Sequence, residues 1–242
     1  MELKAINLSK NYSGKKAVDK VDISVLSGKI VGLLGPNGAG KTTFFYMLAG
    51  LLTSNSGQIL IDNEDITKKS ISERAKKGLS YLPQEPSVFR RLSVKENLLA
   101  ALEQRKELNV EQRQKELGYL VGKFKLEPFL KTKAIKLSGG ERRRTEIARA
   151  LASKPKFLLL DEPFAGIDPI AVSDLKITLK NLREMDLGIL ISDHNVRETM
   201  QICDKVSILS EGKMVAEGSP DQISNNDLVK EVYLGKDFSN SK

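Results

Sequence analysis

Tryptophan is absent from this 242-residue chain, and cysteine and histidine occur once each, as Cys203 and His194. A lone cysteine excludes a disulfide framework and fits a reducing compartment. The missing Trp, together with basic runs scattered rather than interleaved with aromatics, leaves no stacking groove for a nucleic-acid strand, so no nucleic-acid partner is expected. Long apolar runs are lacking as well: no stretch approaches the roughly 18 uninterrupted apolar residues of a membrane span. The opening "MELKAINLSK" holds no apolar signal core. A cytoplasmic location with no direct membrane span is the expectation. Internal repeats and low-complexity linkers are not found either.

What is present is a basic, core-forming composition. Lys and Arg number 39 against 31 Asp and Glu, a formal charge of +8, and 40% of residues are hydrophobic. A basic balance suits anionic surfaces or phosphate ligands alike, and the runs Lys15-Lys16, Lys68-Lys69 and Arg142-Arg143-Arg144 read as solvated faces. The stretches "KIVGLLG", "KFLLLDE" and "LGILISDH" are continuously apolar, as strands buried on both faces must be. They predict an α/β fold on a mostly parallel sheet. Glu2 to Leu8 and Val21 to Leu26 alternate around the turn-like "YSGKK", predicting an antiparallel edge layer, and "KVSILSEGKMVAEG" reads as a hairpin about Glu211-Gly212. Between residues 93 and 152 the pattern becomes charged and helix-favouring. One domain is expected, with residues 1–92 and 153–242 as the α/β core and 93–152 as an inserted helical lobe.

"GPNGAGKTT" fits the phosphate-binding pattern G-x-x-x-x-G-K-[ST], and it stands between an expected strand and an expected helix, the context that motif needs. Gly35, Pro36, Asn37, Gly38, Ala39 and Gly40 form the loop, Lys41 supplies positive charge for the terminal phosphates, and Thr42 and Thr43 open the helix. The Thr42 hydroxyl can ligate Mg²⁺. Asp161 and Glu162 end an apolar run, so both carboxylates emerge at the carboxyl edge of a buried strand, where ligands of open α/β sheets collect. Asp161 is placed to hold Mg²⁺ and Glu162 to orient or deprotonate an attacking water. His194 follows "ILISD" to the same edge, where imidazole can hydrogen-bond a terminal phosphate. Gln84, after "LSYLP", offers an amide oxygen to the metal. Tyr12, expected on a loop of the antiparallel layer, is a candidate to stack on a nucleobase. A second anion site is written into "KLSGGERRRTEIARA": Ser138 and Glu141 form a capping box, and Gly139 and Gly140 leave backbone N–H groups uncovered.

Taken in order, "GPNGAGKTT", Gln84, "LSGGE", "LLLDEP", "AGID" and His194 resemble the motif set of ATP-binding cassette ATPases, with LSGGE the element that separates that family from other phosphate-loop proteins. The resemblance covers nearly the whole chain. It implies ATP and Mg²⁺ as ligands and a head-to-tail homodimer, in which Ser138 and Gly140 of one chain complete the cradle around ATP held by Lys41 of the other. It also implies that Asp168, in "AGIDP", lies at the dimer interface; an N-cap role ahead of Pro169 is the other reading, and both can hold. "LPQEPSVFRRLSVKENL", "SDHNVRET" and the tail "VYLGKDF" further resemble the lipopolysaccharide-export branch, with the branched-chain amino-acid importer branch as the alternative. That likeness implies two integral membrane subunits as partners and a peripheral position on the cytoplasmic face of the inner membrane. Phe89, Arg90 and Arg91 are then placed to dock those subunits, an aromatic beside two arginines being a hot-spot composition.

Overall fold

A computed structural model describes residues 1–234. The stretch "KDFSNSK" and the end of "VYLGKDF" lie outside the described residues.

Strands β1 (Glu2–Tyr12) and β2 (Lys15–Leu26) form a hairpin closed by Ser13 and Gly14, both at positive φ (44° and 86°), the backbone of a tight turn whose twist matches that of the strands. Both strands run further than the alternation of apolar residues predicts. Register shifts between Ala5 and Asn11, with Asn7 and Lys20 at positive φ, absorb extra residues as bulges and break the alternation without ending the ladder. Tyr12 accordingly closes a strand, a correction to its expected place on a loop. Next come β3 (Ile30–Leu34), α1 (Lys41–Ala49), β4 (Ser56–Ile61) and β5 (Glu64–Asp65), the last two completing an antiparallel sheet in the order β2-β1-β4-β5.

The chain continues through α2 (Ile71–Lys76), β6 (Leu79–Leu82), α3 (Val94–Leu102), α4 (Val110–Lys123), α5 (Gly139–Leu151), β7 (Phe157–Asp161), α6 (Pro169–Arg183), β8 (Gly188–Ser192), α7 (Val196–Met200), β9 (Lys205–Ser210), β10 (Lys213–Gly218), α8 (Pro220–Ser224) and α9 (Asp227–Val229). The second sheet has the order β10-β9-β3-β8-β7-β6 and is parallel except for β10, which returns from β9 through Glu211 and Gly212 at φ 48° and 78°. Every residue of β3, β7 and β8 is buried, as their unbroken apolarity requires. Side chains alternate between faces. Val31, Leu33, Phe157, Leu159 and Leu190 therefore pack with α1 and the antiparallel layer, whereas Ile30, Leu34, Leu158, Leu160, Ile189 and Ile191 pack with the helices of the other side.

Residues 93–152 hold α3, α4 and α5, each opened by a reciprocal capping box, at Ser93 with Glu96, Asn109 with Gln112 and Ser138 with Glu141. Their apolar stripes, among them Leu98, Leu102, Leu117, Phe124 and Ile147, join the same core cluster as β7 and β8. The helices are therefore anchored to the sheet and not merely appended. No helix among the described residues is long and apolar enough to cross a membrane.

Candidate nucleotide site

Because β3, β6, β7 and β8 are parallel, their carboxyl ends deliver the cradle, Gln84, the Asp161-Glu162 pair and His194 to one edge. The cradle runs from Gly35 to Gly40 and enters α1 without a side-chain cap. Gly40 takes the cap position at φ 105°, a conformation other residues rarely adopt, and a Cβ there would stand 2.2 Å from the Ala17 carbonyl oxygen of β2. Every helix of eight or more residues besides α1 has its first turn covered by a Ser, Asn or Asp side chain. At α1 the backbone donors stay open to an anion. Asn37, Gly38 and Thr42 are exposed, Pro36 and Thr43 half-buried and Ala39 buried. The Lys41 ammonium is only 7% exposed and donates to the carbonyls of Gly35 (2.7 Å) and Pro36 (3.0 Å). Burial holds it below the usual lysine range, while Glu162 and Asp161 pull it back up. A charge so poorly solvated gains from phosphate oxygens.

Across from the cradle, Glu162 is held on both carboxylate oxygens. His194 Nε2 lies 2.5 Å from Oε1, and Gln84 Nε2 donates to Oε2 at 2.6 Å. Its backbone sits at φ 46°, pinned by a 2.7 Å hydrogen bond from its N–H to the Ser192 carbonyl at the end of β8. A non-glycine residue in that region costs on the order of 1 kcal/mol or more, so the turn is over-determined by its surroundings. Gln84 spends its amide N–H on Glu162 and leaves its amide oxygen free, as a metal ligand needs. Asp161, 3% exposed, is pushed up to about 6, first by burial and then by the Glu162 charge; the Tyr81 hydroxyl, 3.4 Å from its Oδ2, pulls the other way. Thr42 hydroxyl, Gln84 amide and Asp161 carboxylate form an all-oxygen donor set, the chemistry of a hard cation such as Mg²⁺. A buried carboxylate whose charge is disfavoured by burial fits that group.

Sequence reasoning missed the residues that brace this edge. Arg143 is buried (6% exposed) and donates to the carbonyls of Pro83 (3.1 Å) and Asp161 (3.2 Å) and to the Glu146 carboxylate (3.1 Å), tying α5 to the ends of β6 and β7. The solvated-face reading of the Arg142-Arg143-Arg144 run is therefore wrong at Arg143. The signal was there: Arg143 is four residues before Ile147, on the apolar stripe of α5. Asp193 accepts from Phe164 N and Asn195 N, both at 2.8 Å, and so locks the turn after Glu162 to the loop carrying His194. Tyr12 is 46% exposed, with Lys10 Nζ 5.6 Å from its ring centre.

Ser138 caps α5, accepting from Glu141 N at 3.3 Å, and Asp168 caps α6, accepting from Ala171 N at 3.0 Å. The two caps line one cleft of about 190 Å³ with Gly140, and no residue of 35–43 contributes to it. A Cβ at Gly140 would stand 2.6 Å from that of Ala171, so this glycine is also what lets α5 approach α6. The open cradle of α1 and this cleft are thus separate surfaces of one chain. Phe89, 53% exposed, stands at a third cleft of about 630 Å³ with the Arg149 guanidinium 5.1 Å from its ring centre, and Arg90 and Arg91 are exposed beside it. Buried Asn97 shapes this turn by accepting from Phe89 N at 2.8 Å and donating to the Phe89 and Ser93 carbonyls.

A family model described as "ABC transporter" matches residues 18–165, which span the cradle, Gln84, the α5 cap and the Asp161-Glu162 pair. The chain belongs to the ABC transporter ATPases. Curated relatives of this ATPase include the "Lipopolysaccharide export system ATP-binding protein LptB" of Haemophilus influenzae, 53% identical, and that of Escherichia coli K12, 52% identical, each over 98% of both chains. Among solved structures, the ADP conformation of MJ1267, an ATP-binding cassette of an ABC transporter, superposes with a TM-score of 0.86 at 29% identity over 98% of this chain and all of that one. The dimeric post-hydrolysis state of the cassette MJ0796 bound to ADP and Pi superposes with a TM-score of 0.80 at 25% identity, over 90% of this chain and 98% of that one. A second, short model described as "Branched-chain amino acid ATP-binding cassette transporter" matches residues 213–239 of the ATPase. The tail by itself therefore does not separate the two branches.

Proposed function

We propose that the chain is the ATP-hydrolysing subunit of a transporter that moves lipopolysaccharide out of the inner membrane, working as a head-to-tail homodimer on the cytoplasmic face beneath two integral membrane subunits. One observation carries the chemistry: Glu162 is clamped between Gln84 and His194 on the strand edge that also carries Lys41. The 52–53% identity to lipopolysaccharide-export ATPases over 98% of both chains supports the cargo, against the 27-residue span of the importer-type match.

In this reading the open N–H groups of residues 38 to 43 and the Lys41 ammonium receive the phosphates of ATP, Lys41 exchanging its loop carbonyls for phosphate oxygens. Thr42, Gln84 and Asp161 would hold Mg²⁺, which would supply positive charge to neutralise the transferred phosphoryl group. Glu162 takes the proton of the attacking water, and His194 and Gln84 fix the carboxylate orientation for that transfer. Tyr12 stacks on the base. Ser138, Gly139 and Gly140 of the partner close the site from the other side, and Asp168 lies at the same interface. Residues 93–152 act as the helical subdomain that carries this second anion site.

Glu162→Gln keeps the shape and removes the base. It is expected to lower turnover at least a hundredfold while leaving ATP affinity within a few fold, and to trap an ATP-bound dimer. Purified gently from membranes, that variant is expected to bring two membrane subunits and bound lipopolysaccharide. Amino-acid permease subunits in their place would move the chain to the importer branch, and rapid hydrolysis by the variant would remove Glu162 from its role.

A further inference from the structure

A cavity of about 640 Å³ lies away from the nucleotide edge. One wall comes from the α3–α4 connection and α4, the other from the end of α5 and the ends of the α6–β8 connection. Its apolar lining includes Leu108 and Leu120 on the first wall and Leu151, Leu182 and Leu187 on the second. Tyr119 and Met185, half-exposed large side chains, also line it. The volume falls in the range of roughly 300–1,000 Å³ typical of small-molecule sites.

Charge at the rim is unbalanced. Arg105, Lys115, Lys123 and Lys154 line the cavity, and Glu116 is the one acidic residue lining it. Glu116 Oε1 is taken by Lys154 Nζ at 2.6 Å and lies 3.7 Å from Arg105 Nη1, and Glu107 accepts from Arg105 Nε at 2.8 Å. Two carboxylates thus face four cations. Arg105 Nη1 is buried with no hydrogen-bond acceptor, an unmet donor of the kind that native proteins rarely leave without a purpose. Among the described residues neither Lys115 nor Lys123 forms an ion pair; Lys123 Nζ donates instead to the Tyr119 hydroxyl at 3.3 Å and lies 5.6 Å from the Tyr119 ring centre and against the Met185 sulfur. Apolar walls beneath a surplus of positive charge complement one kind of ligand. We propose that this cavity binds a small amphipathic anion, an apolar body with a single acidic group, with the body against the leucines and the acid received by Lys115, Lys123 and the Nη1 of Arg105.

The test uses the full-length chain and dodecanoate below its micelle concentration, with dodecylammonium as the charge-reversed comparator. Titration calorimetry is expected to show one dodecanoate per chain, bound at least tenfold tighter than dodecylammonium. Lys115→Glu combined with Lys123→Glu is expected to weaken dodecanoate at least tenfold and leave the Kd for ATP unchanged. Since the chain has no tryptophan, Tyr119→Trp supplies a single fluorescent reporter at the mouth, expected to shift to shorter wavelength with saturation as dodecanoate binds. Equal binding of the two amphiphiles, indifference to the charge reversal in a folded double variant, or an unshifted reporter would overturn the proposal. So would a reporter already shielded from iodide quenching in the complex with its membrane subunits, because a protein segment would then be the occupant.

Discussion

Asp161 is a carboxylate that the fold holds at a loss. Its ordinary value of 3.8 is pushed up to about 6 by burial and by Glu162, so between pH 4 and 6 the folded chain keeps a proton that the unfolded chain gives up. The sign follows: stability falls as pH rises through that window and is level above it, by about 3 kcal/mol for this shift. Asp161→Asn removes the penalty together with the metal ligand. In thermal melts of nucleotide-free protein, its Tm is expected to equal wild type near pH 4 and to exceed it by about 6–10 °C above pH 6, with hydrolysis lost. A Tm difference independent of pH would show that the ionised carboxylate is not the strained form. Residue roles of this kind were legible only in part. Asp161 and Glu162 stand out as acids ending an apolar run, but the Tyr81 and Arg143 contacts join segments far apart in sequence, which no spacing rule connects.

At the scale of elements, helix α1, which follows the glycine-rich loop, is secured at its far end. Arg74, 3% exposed, donates Nη1 to the Met47 and Leu48 carbonyls, Nη2 to that of Thr67 and Nε to that of Lys69. It thereby reaches the Leu48 carbonyl at the C-terminus of α1 and adds a second donor to that of Met47, which also accepts from Gly50 N, with a cation at the negative end of the helix dipole. Methionine fills similar volume but donates nothing. Arg74→Met is expected to cost about 3 kcal/mol, read in denaturant unfolding as a lower midpoint at unchanged m-value, because buried carbonyls lose their partners. Two helix starts were readable beforehand: Ser138 and Asp168 both cap as their local patterns predict. The reach of β1 and β2 was not, since bulges erase the alternation that marks a strand.

For the whole molecule, the separation of surfaces matters most. The open cradle of α1 and the cleft of Ser138 and Asp168 belong to different faces, which suits a site shared between two copies of the chain. The Phe89 cleft is a third face, linked inward through Glu146, which accepts from Ser87 N at 2.8 Å and pairs with Arg143, itself bonded to the Asp161 carbonyl. Phe89 and the Asp161-Glu162 pair are therefore a few hydrogen bonds apart. Phe89→Ala is expected to leave ATP affinity unchanged and to weaken association with the membrane subunits about thirtyfold, a loss of about 2 kcal/mol for a half-exposed aromatic anchor. Complexes that survive gel filtration with wild-type affinity would make Phe89 an ordinary surface turn.

By itself the sequence determined the class of fold and the place of the glycine-rich loop and of the helix caps at Ser138 and Asp168. Buried strands must be apolar throughout, phosphate loops need glycine where the backbone turns and closes, and caps need a short polar side chain, so each is a local demand written in consecutive residues. The tertiary structure alone decided which groups meet: Gln84 and His194 on opposite oxygens of Glu162, Arg143 drawn out of its basic run into the core, and Arg105 Nη1 buried beside an apolar cavity without a hydrogen-bond acceptor. Those contacts depend on strand order and helix packing, and packing is set by the whole chain.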